Sequence, residues 1–360
     1  MTSPAQPDIL FAAEDLRAQV TTIFSAIGSD APEAALVTDH LVLANLFGHD
    51  SHGISLIPLY VRMVREGKVE PNQRPTAAMD NGALLTLDGH RGFGQAVAHE
   101  AMEIGIARAR ERGVAIIALR NSHHVGRIGH YAEQCCRAGL VSMHYVNVVG
   151  TAPVVAPFAG IKSRLHTNPV AIGVPREGAD PLVLDFATSR AAQGKIRVAM
   201  NRGVPVPPGF LLDADGEPTT DARVVYDEPV GTMLPFGEHK GSGLGLLCDV
   251  LAGALTGGRM CHPGSSGDDV YLNNMLSVMI DPDRLGGRET WQQEIALGTQ
   301  FFTSSPARDP AMPILLPGEP ERATRARRDA EGIPVDATTW RLIRAAAAGV
   351  GVALPEAGWR

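Results

Sequence analysis

The middle of the chain contains short apolar runs separated by glycine and proline, and this pattern constrains the fold more than any other feature. Runs at 83–87 and 114–119 have the length and composition of buried strands, and residues 95–112 between them have helical periodicity. Further strands are predicted at 141–149, 170–174, 182–186 and 275–280. The sequence therefore predicts a mixed α/β protein with a central sheet.

Both ends of the chain favour helices. Leu16, Val20, Ile23, Phe24 and Ile27 share one helical face, and Gly28 ends that helix. Helices are also predicted at 241–255 and 337–348, whereas five prolines between 306 and 320 predict an extended loop at the start of the last third. The predicted division is a helical part at 1–75, a sheet domain at 76–300 and a C-terminal segment at 301–360 that rejoins the helical part.

Composition excludes some classes of protein. The 360 residues are 44% hydrophobic and carry a formal net charge of −7, which argues against binding to nucleic acid or an anionic membrane. The basic run 322–328 is interrupted and flanked by acidic residues, so it predicts a solvated helix face. No signal peptide or membrane-spanning run is evident. Cytoplasmic localisation is expected, with reduced thiols at Cys135, Cys136, Cys248 and Cys261.

The segment Asp50-Ser51-His52-Gly53 places a hydroxyl beside an imidazole. Histidine is the side chain whose ordinary pKa lets it exchange protons near neutral pH. A helix is predicted after Gly53, so the pair is expected at a helix N-terminus. This segment is a candidate acid–base site.

Two further segments follow predicted strands. The first, 121–131, holds His123, His124, His130 and Arg127, which are costly to bury without partners. The alternative is a polar loop with exposed histidines. The second, 184–189, contains Asp185, whose carboxylate could orient an imidazole or could only begin a helix.

A fourth segment, 235–245, contains Lys240 and the glycines Gly241, Gly243 and Gly245. A helix N-terminus with glycines and a lysine suits a phosphate, but close helix packing explains the glycines nearly as well. The spacing is not the Rossmann fingerprint, and no P-loop is present because Gly194-Lys195 is followed by isoleucine.

Three rival functions remain open. A hydrolase could use Ser51 and His52, but neighbouring residues on a helix point in different directions and rarely form a productive hydrogen bond. A metal enzyme could use His123, His124, His130 and His144, although their spacing matches no common zinc pattern and no metal is expected. The third alternative is a protein with this fold that binds a ligand but catalyses no reaction.

Taken in order, these segments resemble the malate/L-lactate dehydrogenase family, which also contains ureidoglycolate dehydrogenase and Δ1-piperideine-2-carboxylate reductase. Thr167-Asn168-Pro169, Gly194-Lys195-Ile196 and Leu316-Pro317-Gly318-Glu319 match as well. The likeness covers nearly the whole chain and looks closest to the hydroxycarboxylate dehydrogenase B branch.

The resemblance implies a non-Rossmann fold, with a largely antiparallel central sheet and a helical domain built from both chain ends. It also implies a homodimer that transfers hydride between NAD or NADP, with NAD favoured, and a 2-hydroxy or 2-oxo carboxylic acid. Reduction of a cyclic imino acid is the alternative within the family.

The resemblance also assigns site residues. His52 matches the proton donor, Ser51 and Asp185 match its relay partners, and His124 matches a histidine beside the substrate. The implied cofactor contacts are Arg127, Ile128, Asp185, Phe186, Ala187, Thr188, Lys240 and Gly318.

One position departs from the family pattern. Many members carry an arginine three residues after the Ser-His-Gly glycine, where it could pair with the substrate carboxylate, but here that residue is Leu56. Arg127 is the first replacement candidate and Arg62 the second, because a carboxylate prefers a bidentate cation. The leucine also predicts a bulkier substrate, such as an aromatic 2-oxo acid.

Overall fold

The computed structural model describes residues 8–356. Its strands are β1 (Ile9–Phe11), β2 (Thr76–Asn81), β3 (Leu84–Asp88), β4 (Val114–His123), β5 (Val141–Val149), β6 (Val170–Val174), β7 (Leu182–Phe186), β8 (Leu211–Leu212), β9 (Pro218–Thr219), β10 (Thr232–Met233), β11 (Leu272–Ile280) and β12 (Ile333–Val335). Its α-helices are α1 (Ala13–Ala26), α2 (Ala31–Leu46), α3 (Ile57–Arg65), α4 (Gly94–Arg112), α5 (Gly129–Arg137), α6 (Gln193–Arg202), α7 (His239–Cys248), α8 (Arg288–Thr303), α9 (Glu319–Glu331) and α10 (Ala337–Ala348). The signal-peptide prediction concerns a segment whose first seven residues lie outside the described range.

The central sheet has seven strands in the order β2-β3-β4-β11-β5-β6-β7. Only β3 and β4 pair in parallel, so the predicted largely antiparallel sheet is confirmed. The apolar runs predicted at 141–149, 170–174 and 182–186 are strands with those bounds. Strand β2 was not predicted, because all six of its residues are exposed and its sequence carries no apolar signal.

A helical layer packs beside the sheet and combines the two ends of the chain. Its core includes Leu16, Ile23 and Tyr60 from the first part and Trp340 and Ile343 from the last. Strands β1 and β12 pair antiparallel and contribute side chains to this core. Apolar burial therefore joins segments more than 300 residues apart, while the exact boundaries at 75 and 300 stay a prediction.

The loop predicted from the prolines is confirmed, because residues 306–318 between α8 and α9 form no helix or strand. Helix α10 has the predicted bounds 337–348. Helix α8 was not predicted, and α9 was expected only as the solvated helix face at 322–328. Neither helix has a buried residue, so neither leaves an apolar stripe that could be recognised in the sequence. The predicted helix 241–255 is α7 followed by a π-helical turn at Asp249–Ala254. No described helix has the length and hydropathy to cross a bilayer.

Candidate active site

Ser51 and His52 lie in a short 3₁₀ turn, Asp50–His52, before α3. The Ser51 hydroxyl is 2.9 Å from His52 Nδ1, so the two side chains form a hydrogen bond. The expectation that neighbouring residues would point apart was wrong, because it assumed an α-helix. The turn brings the two side chains together at the bottom of a cleft.

Asp50 anchors this turn to the C-terminal part of the chain. Arg328 of α9 donates to Asp50 Oδ1 at 2.6 Å and to Oδ2 at 3.0 Å, and it also donates to the Asn45 carbonyl. The Asn45 side chain donates to Asp50 and accepts from the Ile54 N–H. A side chain at Gly53 would collide with the Asn45 amide. The prediction of a solvated face was therefore wrong for Arg328.

Helix α6 packs against the other side of the same turn. A Cβ added at Gly194 would lie 2.8 Å from Ser51 Cα, a contact that backbone atoms do not tolerate. Glycine at this position therefore lets α6 approach the Ser51 backbone.

His124 faces the site from the loop after β4. Its Nδ1 is 2.7 Å from the Tyr60 hydroxyl, and Gln95 donates to the same hydroxyl at 2.8 Å. With its oxygen accepting from Gln95, Tyr60 donates to Nδ1, which leaves the proton of neutral His124 on Nε2. The His52 and His124 rings are nearly parallel, with centroids 5.6 Å apart.

The loop that carries His124 is held by the sheet and by α4. Asn273 lies at an irregularity in β11, where its side chain accepts from the Val125 N–H and donates to the Asn147 carbonyl. A Cβ at Gly94 would strike the carbonyls of His123 and His124. The loop is therefore buried and hydrogen-bonded, which argues against the exposed-loop alternative.

Asp185 is the penultimate residue of β7 and accepts a hydrogen bond from the Gly129 N–H at 2.8 Å. Its Oδ2 lies 3.6 Å from Arg127 Nε. Within residues 8–356 no hydrogen bond joins Asp185 to His52. The direct relay expected between this carboxylate and the imidazole is not formed, because Asp185 is engaged at the start of α5.

Arg127 is almost completely buried, with 3% of its side chain exposed. It donates to Glu133 at 2.7 Å, approaches Asp185 and lies over the Phe47 ring. A guanidinium with these partners stabilises the fold around Asp185. This pairing argues against Arg127 as the cation that replaces the family arginine at the position of Leu56.

Arg62 is not placed to bind the substrate carboxylate either. Its guanidinium pairs with Asp269 at 3.3 Å and with Glu66 at 3.7 Å, and it lines a separate surface cavity between α3 and α10. Arg62 is therefore placed away from Ser51 and His52.

Two adjoining cavities meet at the Ser51–His52 turn. The smaller cavity has a volume of about 160 Å³ and includes His52, His124, Leu56 and Arg197 in its lining. The larger has a volume of about 510 Å³. Four residues line both cavities, namely Ser51, His52, Thr167 and Ala192.

The larger cavity fits a dinucleotide better than a small acid. Its lining includes the predicted cofactor residues Arg127, Ile128, Asp185, Phe186 and Ala187. The lining also includes Arg190, Lys195 and Glu321, for which the sequence predicted no role. Two exposed cations, Arg190 and Lys195, beside a large cleft suit the phosphates of a nucleotide. The position of Arg190 directly after the Asp185 segment is the signal that could have identified it.

The remaining cofactor predictions fall outside this lining. Thr188 is buried and donates to the Thr167 carbonyl, while Lys240 and Gly318 line neither cavity. Their proposed contacts stay predictions. A Cβ at Gly241 would collide with the Phe236 carbonyl, which favours the packing explanation for this glycine.

Burial controls the protonation of the site. Desolvation, followed by the charges of His49, Arg127 and Lys195, lowers the pKa of His52 to about 3. Desolvation and the neighbouring His52 and His123 also hold the pKa of His124 well below its usual value. Both imidazoles are therefore neutral at physiological pH.

The histidines named in the metal alternative are dispersed. His144 lies between the Ser142 and Ser277 hydroxyls, and His124 is bonded to Tyr60. In the part of the chain that the structure describes, no three histidine, cysteine or acidic side chains are grouped as metal ligands.

Similarity to known proteins agrees with this geometry. The family model for malate/L-lactate dehydrogenase matches residues 11–344. Hydroxycarboxylate dehydrogenase B of Escherichia coli is 47% identical over 348 residues, covering 96% of this chain and 95% of that protein. L-lactate dehydrogenase of Cupriavidus necator is 38% identical over 322 residues, with 89% and 92% covered.

A solved structure agrees as well. It is that of an Escherichia coli protein provisionally described as a malate/lactate dehydrogenase, and it matches with a TM-score of 0.91 and 46% identity, covering 96% of each chain. Fold and site define a nicotinamide-dependent oxidoreductase without a Rossmann domain. The chain belongs to the malate/L-lactate dehydrogenase family. It is an NAD(P)-linked 2-hydroxycarboxylate dehydrogenase.

Proposed function

We propose that this dehydrogenase interconverts 2-hydroxy and 2-oxo acids with bulky, apolar or aromatic side chains, using His52 as the acid and base. The position of His52 between the two cavities carries the proposal. A substrate in the smaller cavity and a nucleotide in the larger one would both meet the Ser51–His52 turn.

A bound nicotinamide would supply or accept the hydride at C2 of the acid. Arg190 and Lys195 are placed to hold its phosphates, and Phe186 and Ala187 to line its cleft. NAD is the proposed nucleotide. The Glu321 carboxylate, whose pKa is lowered mainly by its interaction with His49 at 3.8 Å, lines the cavity and would repel a 2′-phosphate.

Ser51 can serve proton transfer in both directions. Its hydroxyl either donates to His52 Nδ1 or accepts from it, so rotation of the hydroxyl allows Nε2 to carry a proton or a lone pair. Neutral His52 is the form that accepts the hydroxyl proton during oxidation. In reduction, an anionic substrate raises the pKa of His52 and favours the protonated acid. The Nε2 proton of His124 can donate to the carbonyl oxygen.

The preference for a bulky side chain rests on the apolar wall of the smaller cavity. This wall consists of Leu56, Leu59, Val148, Val154, Val198 and Leu342. Burying a phenyl ring there contributes about 2 kcal/mol, or roughly a 30-fold gain in kcat/KM for phenylpyruvate over pyruvate.

A homodimer and a cytoplasmic location complete the proposal. Exposed apolar side chains on α8 and after α7, including Phe301 at 82% and Leu255 at 65% exposure, would be covered by a second copy. The free thiols of Cys135, Cys136, Cys248 and Cys261 support a reducing compartment.

The test follows absorbance of NADH and of NADPH with a panel of 2-oxo acids, for the wild type, His52→Ala and His90→Ala. His90 is a partly exposed histidine that bonds to Thr76 outside both cavities, so its variant is the matched control. We expect turnover that collapses only in His52→Ala. Faster turnover of pyruvate than of phenylpyruvate would refute the bulky-substrate proposal, and turnover of cyclic imino acids alone would favour the reductase alternative.

A further inference from the structure

The smaller cavity poses an electrostatic problem that the family resemblance leaves open. A 2-oxo acid carries a carboxylate, which is costly to desolvate without a cation. The family position for that cation is Leu56, and Arg127 and Arg62 are paired elsewhere. The histidines in the lining are His52, His124 and His166, and burial lowers the pKa of each, that of His166 to about 4. None of them supplies a positive charge at neutral pH before the substrate binds.

Arg197 is the one lysine or arginine among the described residues that line this cavity. It lies on α6, where Gly194, Arg197, Val198 and Asn201 all line the cavity at the spacing of one helical face. Gly194 on that face packs against Ser51, and Arg197 follows it by about 4.5 Å along the helix axis. The guanidinium is therefore carried within reach of the reacting groups.

The residues around Arg197 orient its guanidinium but do not neutralise its charge. Its guanidinium carbon lies 5.2 Å from the centre of the Tyr226 ring, and the Tyr226 hydroxyl donates to the Gln193 carbonyl at 2.7 Å. Throughout residues 8–356, no carboxylate lies within the 4.0 Å ion-pair distance of Arg197. A cation that is oriented by an aromatic ring and has no acidic partner is suited to an external anion.

We propose that Arg197 binds the substrate carboxylate and takes over the role that Leu56 cannot perform. This inference rests on the proposed function and deepens it. It places the carboxylate toward Arg197 and the side chain toward the part of the apolar wall that Leu59 of α3 and Leu342 of α10 contribute. Specificity for a carboxylate and tolerance of a bulky side chain then follow from different residues of one cavity.

The test compares wild type, Arg197→Met, Arg197→Lys and Arg202→Met. Methionine keeps the aliphatic length without the charge, and lysine keeps the charge without the bidentate geometry. Arg202 is on the same helix but pairs with Asp8, so its variant is the matched control. Each protein is assayed with phenylpyruvate and with its neutral amide.

We expect Arg197→Met to raise KM for phenylpyruvate about 10- to 100-fold, the range for losing one charge-assisted bidentate pair, with a smaller change in kcat. Arg197→Lys recovers part of the loss, and Arg202→Met matches wild type. KM for the amide changes little, and NADH binding followed by fluorescence is the same in all four proteins. An unchanged KM for phenylpyruvate in Arg197→Met, or an equal loss with the amide, would overturn the inference.

A second measurement separates this inference from the proposed function. Oxamate is a non-reacting carboxylate, and its affinity for the enzyme with NADH is measured by calorimetry. Oxamate binding that is lost in Arg197→Met supports the inference even if no 2-oxo acid is turned over, in which case only the proposed reaction fails. Wild-type turnover with equal oxamate affinity in both proteins would refute the inference and leave the dehydrogenase function standing.

Discussion

Arg328 should control both stability and catalysis, although it lies 276 residues after His52 in the chain. Its guanidinium forms two hydrogen bonds to Asp50, at 2.6 and 3.0 Å, and one to the Asn45 carbonyl. These contacts join α9 to the turn that carries Ser51 and His52. The change to examine is Arg328→Ala.

The expected loss of stability in Arg328→Ala follows from how exposed the Arg328 and Asp50 side chains are. The Arg328 side chain is 11% exposed and that of Asp50 is 37% exposed, so the pair is neither fully buried nor freely solvated. Breaking a buried pair costs about 3–5 kcal/mol, whereas a surface pair contributes about 0–1 kcal/mol. We therefore expect Arg328→Ala to reduce the free energy of unfolding by about 2 kcal/mol. Displacement of His52 by a fraction of an ångström to 1 Å should lower kcat/KM by about 10- to 100-fold.

The assays are urea unfolding and steady-state turnover of the best 2-oxo acid. Arg327→Ala is the matched control, because Arg327 is the exposed neighbour on the same helix. Arg328→Lys should recover part of the stability but less of the rate, because an ammonium cannot reproduce the bidentate geometry. If Arg328→Ala matched Arg327→Ala in both stability and kcat/KM, the anchoring role would be refuted.

Three other perturbations test separate parts of the site. In a helix, Gly194→Ala would normally be stabilising by about 0.5–1 kcal/mol. Here the added Cβ would lie 2.8 Å from Ser51 Cα, so we expect a lower kcat/KM in a steady-state assay. Unchanged turnover would contradict this. Tyr60→Phe removes the hydroxyl that holds His124 and should cost about 1–3 kcal/mol in urea unfolding and reduce kcat; wild-type values for both would refute it. Acid should destabilise the fold, because buried histidines such as His144, with a pKa lowered to about 3, stay neutral while the unfolded chain binds protons. Each such histidine contributes stability that is fully present above the pKa of the unfolded chain, about 6.5. Below that pH the free energy of unfolding falls by up to about 1.4 kcal/mol per pH unit for each histidine. Urea unfolding that shows no loss of stability from pH 7 to 5 would contradict this.

The sheet could be read from the sequence because its strands are buried on at least one face. The runs at 141–149, 170–174 and 182–186 are largely apolar and each has glycine or proline next to at least one end, so local pattern and tertiary environment agree. Strand β2 and helix α8 have no such agreement, and α9 was indicated only by its charged residues at 322–328. Their residues are mostly exposed, and no apolar periodicity marks them.

The candidate site was only partly predictable. Ser51, His52 and His124 were identified because hydroxyl and imidazole groups at strand and helix ends are chemically informative, and the structure brings them to one cavity. The burial of Arg127 between Glu133 and Asp185, and the placement of Arg197 in the smaller cavity, have no local signal. Each arginine looks the same in a sequence, whether it is paired or not.

The sequence by itself determined the residue types that can move a proton, the apolar strands and the family pattern. Only the tertiary structure decided which charges remain uncompensated and which groups are neutral. Partners such as Arg328 and Asp50 lie hundreds of residues apart, and desolvation depends on everything packed around a group. Those quantities are properties of three-dimensional neighbours, and one-dimensional spacing does not contain them.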